Sequence, residues 1–190
     1  MVVKVEEIGE EGLELDEPID AKFLEDALAH KGEETGFHAR HGAQLKATLR
    51  KVSGGVLLTG QFQADVFAPC KRCLAETSAS LPVSFALNLL PRDLAQREES
   101  EYLEGDERAE RAGSFRLQDA DQEWFEGKTI ELDPILREQI LLALPMNLVC
   151  RESCRGLCPV CGNDLNEKQC GCQREATEPR WMALKNIKLS

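Results

Sequence analysis

Polar and apolar positions change period along the chain, and each change marks a predicted element. Val2 to Ile8 carries β-branched residues near alternation and is expected to form a first strand. Ile19, Phe23 and Ala27, with Leu24 and Leu28, recur at helical spacing, predicting a helix over Pro18 to His30 that Gly32 can terminate. The period then drops to two. Leu45, Ala47 and Leu49 alternate with Lys46, Thr48 and Arg50; Ser53-Gly54-Gly55 supplies a turn; Val56, Leu58, Phe62, Ala64 and Val66 share one parity. After Cys70-Lys71-Arg72-Cys73 the alternation resumes with Leu81, Val83, Phe85, Leu87 and Leu89. This describes an antiparallel meander, and Pro82 inside its third run suits an edge strand. Asp133 offers an N-cap with Pro134 at the first helical position. Ile135, Leu136, Gln139, Ile140, Ala143 and Leu144 then form one face of a second helix, which Pro145 stops.

The expected class is α+β: an antiparallel meander packed with two helices, plus a small C-terminal cysteine-rich segment that binds zinc. The expected divisions are 1–91 for the first strand, helix and sheet, 92–123 for an acidic flexible linker, 124–149 for the helix on the sheet, and 150–190 for the cysteine-rich tail. Residues 92–123 are densely charged and poor in large apolar residues, which predicts a weakly ordered connection.

Composition sharpens this. The chain has 190 residues, 42% of them hydrophobic, enough to bury a core without crosslinks, so its 8 cysteines need another explanation. No apolar run reaches the roughly 18 residues that cross a bilayer, and the N-terminus is acidic where a signal peptide is basic and then apolar. A cytoplasmic protein is expected, and in a reducing cytosol closely spaced thiols are read as metal ligands. The formal charge of −11 argues against a sequence-indifferent nucleic-acid binder. That charge is uneven, however: residues 1–36 carry 3 basic and 12 acidic side chains, residues 37–75 carry 6 and 1, and residues 92–126 carry 5 and 12. The positive segments hold the cysteines, and a metal bound by four thiolates is a dianion that basic neighbours can compensate.

Cys150, Cys154, Cys158, Cys161, Cys170 and Cys172 fall within 23 residues; with Cys70 and Cys73 they make two sets of four. Two thiolates separated by two residues can turn toward one ion, and zinc prefers four soft ligands in a tetrahedron. In Cys158-Pro159-Val160-Cys161-Gly162, proline stiffens the turn and glycine allows a positive φ. One division closes a local site from Cys158, Cys161, Cys170 and Cys172 and a second from Cys70, Cys73, Cys150 and Cys154. The competing division joins Cys150, Cys154, Cys158 and Cys161 and leaves Cys170 and Cys172 over. One or two zinc ions are therefore expected. His30, His38 and His41 lie far from any cysteine in sequence, and no phosphate-binding glycine loop, Gly-x-Ser-x-Gly or His-Glu-x-x-His is present, so no enzyme is expected and no catalytic residue is named.

The CKRCL pair after a strand, the IELDPILREQILLALP helix, the CRESCRGLCPVCGNDLN cluster and the closing EPRWMALKNIK resemble the bacterial YceD family, the large ribosomal RNA subunit accumulation proteins. The resemblance implies a non-enzymatic factor in the synthesis, processing or stability of large-subunit (23S) ribosomal RNA, with the cysteines as zinc ligands. Its partners would be ribosomal RNA, a pre-ribosomal particle or a ribosomal protein. For direct RNA contact the candidates are Lys46, Arg50, Lys71 and Arg72, with further cations at Arg174, Arg180, Lys185 and Lys188. The alternative is a zinc-stabilised adaptor that holds a basic protein without touching RNA.

Overall fold

The computed structural model describes residues 1–30, 33–92 and 122–172. Most of the expected acidic connection, residues 93–121, and the tail from residue 173 onward, with its four candidate cations, lie outside the described residues.

The described residues divide into two compact units. The first comprises Met1–Ala68 with Ser78–Met146; the second comprises Pro69–Thr77 with the chain from Asn147 onward. The first unit is built on a sheet ordered β2-β6-β7-β8-β9, where β2 is Leu13–Ile19, β6 is Ala43–Val52, β7 is Gly55–Pro69, β8 is Glu76–Pro91 and β9 is Gln122–Phe125. A short strand β5 (His38–Ala39) also pairs with β7. Strand β1 (Val2–Lys4) pairs separately with β10 (Thr129–Glu131), and β3 (Ala29–His30) with β4 (Glu33–Glu34). Helix α1 is Ala21–Leu28 and helix α2 is Leu132–Ala143. Among the described residues, one main sheet and the two helices make the class α+β.

The alternation in β6 and β7 does what period-two patterning does on a half-buried sheet. Leu45, Ala47 and Leu49 are buried, as are Val56, Leu58, Phe62, Ala64 and Val66. Ser53 (φ 47°) and Gly54 (φ 86°) form the two-residue turn between them, both central residues having the positive φ of a type I′ hairpin. Gly60 faces the core because Phe85 covers it: a Cβ there would lie 2.3 Å from the ring. The core side chains Leu24, Leu28, Ile130, Leu132 and Ile140 come from the helices and β10. Arg137 of α2 ties to α1, its Nη1 donating to the Asp26 carbonyl at 2.8 Å and its guanidinium lying 5.6 Å from the Phe23 ring.

Four boundaries differ from the sequence reading. The first strand stops at Lys4 and continues as one 3-10 turn, Val5–Glu7. The predicted helix from Pro18 begins at Ala21, because Leu13–Ile19 pairs antiparallel with Ala43–Leu49 and claims Pro18 and Ile19 for the sheet. The sheet extends beyond the expected meander, since β9 joins β8 in parallel, Asn88 opposite Gln122 through Pro91 opposite Phe125. That pairing covers only the end of β8, so Pro82 sits where the strand has β7 alone as neighbour. Finally, α2 begins at Leu132 with Glu131 as its N-cap, which puts Pro134 at the third helical position, still within the turn whose N–H groups have no intrahelical partner. Among the described residues, no helix is long and apolar enough to cross a membrane.

Candidate metal centre

Among its described residues the second unit has a small apolar core, with Leu148 and Cys158 buried outside its main cluster. Its buried cluster is Cys70, Cys73 and Cys154, with Val149 packed against it. What organises it is sulfur. Cys70 and Cys73 come from the turn between β7 and β8, and Cys150 and Cys154 from the segment after α2. The sulfurs of these four lie within 4.8 Å of one another, as do those of Cys158, Cys161, Cys170 and Cys172. The grouping of Cys150 and Cys154 with Cys158 and Cys161 is not the one the chain makes.

Each tetrad has the dimensions of a tetrathiolate site. A metal bound to four sulfurs at about 2.3 Å sits in a tetrahedron whose edges are about 3.8 Å. Cys70 Sγ lies 3.9 Å from Cys154 Sγ, and Cys73 Sγ lies 3.7 Å from Cys150 Sγ. A disulfide would need about 2.05 Å, and all eight cysteines are free thiols.

The same turn is made twice. The Cys70 N–H donates to the Ala75 carbonyl and the Leu74 N–H to the Cys70 carbonyl, at 2.8 and 2.9 Å; the Cys158 N–H donates to the Asn163 carbonyl and the Gly162 N–H to the Cys158 carbonyl, both at 2.8 Å. This geometry turns backbone N–H groups toward the leading sulfur. Arg72 N–H donates to Cys70 Sγ at 3.4 Å, and the amides of Val160 and Cys161 point at Cys158 Sγ. The residue after each pair is left-handed: Leu74 at φ 62° and Gly162 at φ 74°. Leucine pays roughly 1–2 kcal/mol for that backbone, where glycine does not. Leu74→Gly is therefore expected to stabilise the protein by about 1 kcal/mol, Leu74 being 64% exposed with little packing to lose. Equilibrium unfolding of the metal-loaded protein would show it, and a loss of stability would count against the strained turn.

The thiols of each tetrad differ in how readily they ionise. The Cys150 N–H, at 3.4 Å, then the Cys73 amide, stabilise the Cys70 thiolate and bring its pKa down to about 6. Removal from water, reinforced by the Cys154, Cys73 and Cys70 sulfurs, pushes Cys150 up to about 12. In the other tetrad the amides of Cys161 and Val160 bring Cys158 down to about 6, and crowding against Cys161 and Cys170 pushes Cys172 up to about 12. One thiol ionises readily and another resists, as expected of four sulfurs held close together. A divalent metal supplies the positive charge that four thiolates need, so the donor chemistry fits. Four thiolates around one ion leave no position for water or substrate, which is the closed arrangement of a structural site.

The sign of the pH dependence follows. Cys73 and Cys150 in one site, and Cys170 and Cys172 in the other, have raised pKa values and enter a metal site by losing a proton. At pH 7 metal loading should release at least two protons per ion, and affinity should fall steeply as the pH drops toward 6, where Cys70 and Cys158 also begin to protonate. Calorimetric titration in buffers of differing ionisation heat measures the release. A loading step that liberates no proton would contradict thiolate ligation.

Residues that spacing does not reveal complete the centre. Arg72 Nη1 donates to the Glu152 and Cys154 carbonyls, both at 2.9 Å, holding the Cys154 loop against the Cys70 turn. Its own carbonyl accepts the Leu157 N–H at 2.9 Å. Gly156, at φ 74°, passes so close that a Cβ would lie 2.7 Å from that same carbonyl. Asn166 donates from Nδ2 to Cys154 Sγ at 3.4 Å. The signals available in the sequence were Gly156 two residues beyond Cys154 and the Asn163-Asp164-Leu165-Asn166 turn composition.

The candidate RNA contacts fall in both units. Lys46 and Arg50 lie on the outward face of β6, with Lys46 opposite Asp16 on β2 and Gln61 on β7, and Thr48 opposite Glu14. Lys71 is exposed, its N–H donating to the Leu148 carbonyl at 2.9 Å. Arg72 is committed to carbonyls as above.

The family described as large ribosomal RNA subunit accumulation protein YceD matches residues 58–188. The chain belongs to the YceD family. Among relatives, an uncharacterized protein of Mycobacterium tuberculosis is 33% identical over 145 residues, covering 75% of this chain and 61% of the relative. The chloroplastic large ribosomal RNA subunit accumulation protein YCED homolog 1 of Arabidopsis thaliana is 24% identical over 140 residues, 69% of this chain and 44% of the relative, and that of Zea mays is 24% identical over 151 residues. This YceD-family chain thus spans 61% of the length of the mycobacterial relatives and about half or less of the plant ones. No solved structure matches it. The matched region includes all eight cysteines, β8 and α2.

Proposed function

We propose that the protein is a non-enzymatic, cytoplasmic ribosome-biogenesis factor. It acts in the synthesis, processing or stability of large-subunit (23S) ribosomal RNA, and two zinc ions hold its second unit together. The observation that carries this reading is the conjunction of family membership with two closed cysteine tetrads: the family name supplies the RNA, and the tetrads supply a structural rather than catalytic use for every cysteine. Zinc is favoured over iron because nothing in the tetrads points to electron transfer and all-thiolate tetrahedra suit zinc.

Contact with RNA would run through Lys46 and Arg50 on the first unit and Lys71 on the second; Arg72 would contribute mainly by keeping the metal centre in shape. One feature favours the adaptor as a second reading. The described second unit carries Lys71, Arg72, Arg151, Arg155 and Lys168 against Glu76, Glu152, Asp164 and Glu167, and two tetrathiolate dianions outweigh that small positive excess. A loaded surface of that sign suits a basic ribosomal protein.

Affinity capture of the tagged protein from cells, with and without nuclease, separates the two. Pre-ribosomal RNA and particles that are lost on nuclease, and that weaken on Lys46→Glu/Arg50→Glu, are the expected result for direct contact. Capture of a basic protein that survives nuclease and ignores that charge reversal supports the adaptor. Unchanged large-subunit RNA levels on depletion of the protein would refute the biogenesis role in either form.

A further inference from the structure

We propose that Asn166 is a positioning residue through which the local site of Cys158, Cys161, Cys170 and Cys172 controls loading of the long-range site of Cys70, Cys73, Cys150 and Cys154. The local site fills first and prepares the other. This rests on the reading that both tetrads hold a metal.

Asn166 belongs to the loop between Cys161 and Cys170, yet its side chain serves the other tetrad. Its Oδ1 accepts the Arg155 N–H at 2.8 Å and its Nδ2 donates to Cys154 Sγ at 3.4 Å. Asp164 Oδ1 fixes the side chain from behind, accepting the Asn166 N–H at 2.8 Å and Nδ2 at 2.7 Å. The loop is stitched to the same place by its backbone: Leu165 N–H donates to the Gly156 carbonyl at 2.9 Å, and Leu157 bridges to Asp164. One amide side chain therefore connects the loop that one metal closes to a ligand of the other metal.

The order of filling follows from chain length and packing. All four local ligands lie within residues 158–172, whereas Cys70 and Cys154 are 84 residues apart. The local site closes one short segment on itself, whereas the long-range site must also order a second segment, residues 69–77, and ordering less chain costs less entropy. Among the described residues, the buried side chains between Leu157 and Cys172 reduce to Cys158, so those hydrogen bonds hold Asn166 on a loop that has almost no apolar packing of its own until metal closes it. Once the local site is closed, an N–H donor is held against Cys154 Sγ, and a donor to a metal-bound thiolate strengthens that ligand. Outer-shell partners of this kind are worth roughly 10–100-fold in metal affinity. The coupling is reciprocal, because a filled long-range site fixes Cys154 and so favours the loop that Asn166 belongs to.

Cobalt(II), whose thiolate charge-transfer band reports each site, is the probe, titrated into the full chain. Four proteins form a cycle: the wild type, Cys170→Ser/Cys172→Ser, Asn166→Ala, and the three substitutions combined. Two cobalt ions per wild-type chain are expected. Disabling the local site should lower the affinity of the remaining site at least about tenfold while Asn166 is present, and should change it little when Asn166 is alanine. Asn166→Asp keeps an acceptor for Arg155 but faces the sulfur with a carboxylate; it should shift the charge-transfer band of the long-range site and weaken it. Hydrogen exchange at Leu58 and Leu89 checks that the first unit is folded in every variant. An undiminished long-range site in Cys170→Ser/Cys172→Ser overturns the coupling, and an equal drop with and without Asn166 overturns its assignment to that residue. A wild-type chain that takes up no cobalt overturns the metal reading itself, and this inference with it.

Discussion

Stripping metal from the protein with a strong chelator at neutral pH is expected to unfold the turn at residues 69–77 together with residues 147–172, while the sheet of the first unit stays folded. Among its described residues the second unit buries Cys70, Cys73, Leu148, Cys154 and Cys158, with Val149 packed against the cluster of Cys70, Cys73 and Cys154, too little burial to order some 35 residues against the chain entropy of roughly 1–2 kcal/mol each. Without a cation the tetrads also turn from attractive to repulsive as their thiols ionise. The first unit has its own core of Leu45, Leu49, Leu58, Leu89, Ile130 and Ile140, which owes nothing to metal. Amide hydrogen exchange resolves the two. Protection at Cys70, Leu74, Cys158 and Gly162, whose N–H groups are held in the turns, should collapse to that of an unstructured chain; protection at Leu58 and Leu89 should persist. Turns that stay protected in chelator would mean that hydrogen bonding alone sustains them.

A comparison of two glycines with the same backbone is expected to give very different costs. Gly156 and Gly162 both have φ 74°, so alanine at either pays roughly 1–2 kcal/mol for a left-handed conformation. A Cβ on Gly162 meets nothing within 4 Å, whereas one on Gly156 would lie 2.7 Å from the Arg72 carbonyl and 3.1 Å from Arg72 Cβ. Gly162→Ala should therefore cost about 1–2 kcal/mol and leave both metals bound. Gly156→Ala must also push the 154–157 loop off the Cys70 turn. It loses the Leu157 to Arg72 hydrogen bond and should cost at least about 3 kcal/mol, at the upper end of single substitutions. Competition with a chromogenic chelator, read as the loss of one metal in Gly156→Ala and of none in Gly162→Ala, checks it. Equal behaviour of the two variants would mean that the close approach of Gly156 to Arg72 carries no weight.

What the residue pattern disclosed and what it hid divide along a physical line. Period-two alternation on β6, β7 and β8 was legible because one face of that sheet is buried, so parity alone sorts Leu45, Leu58 and Leu89 to the inside. The grouping of cysteines was legible in outline because four of them fit one short loop and leave four. Strand β2 was hidden, since Leu13-Glu-Leu-Asp-Glu-Pro-Ile is rich in poor strand formers and becomes a strand only by pairing with Ala43–Leu49. The parallel arrival of β9 was hidden for the same reason: it depends on a partner more than 30 residues away in sequence. Leu74 in a left-handed conformation was hidden because the residue type argues against it, and only the repetition of the turn at Gly162 explains it. Asn166 was hidden because its partner is a sulfur 12 residues away, reached through a loop whose path the spacing does not dictate.

The split origin of the first tetrad also has a consequence in time. Cys73 and Cys150 are 77 residues apart, and a ribosome adds about 5–20 residues per second. For roughly 4–15 s of each round of synthesis, the nascent chain therefore offers Cys70 and Cys73 as a two-sulfur half-site with its other half unmade. That dithiol is open during the interval to other soft metals and to oxidants.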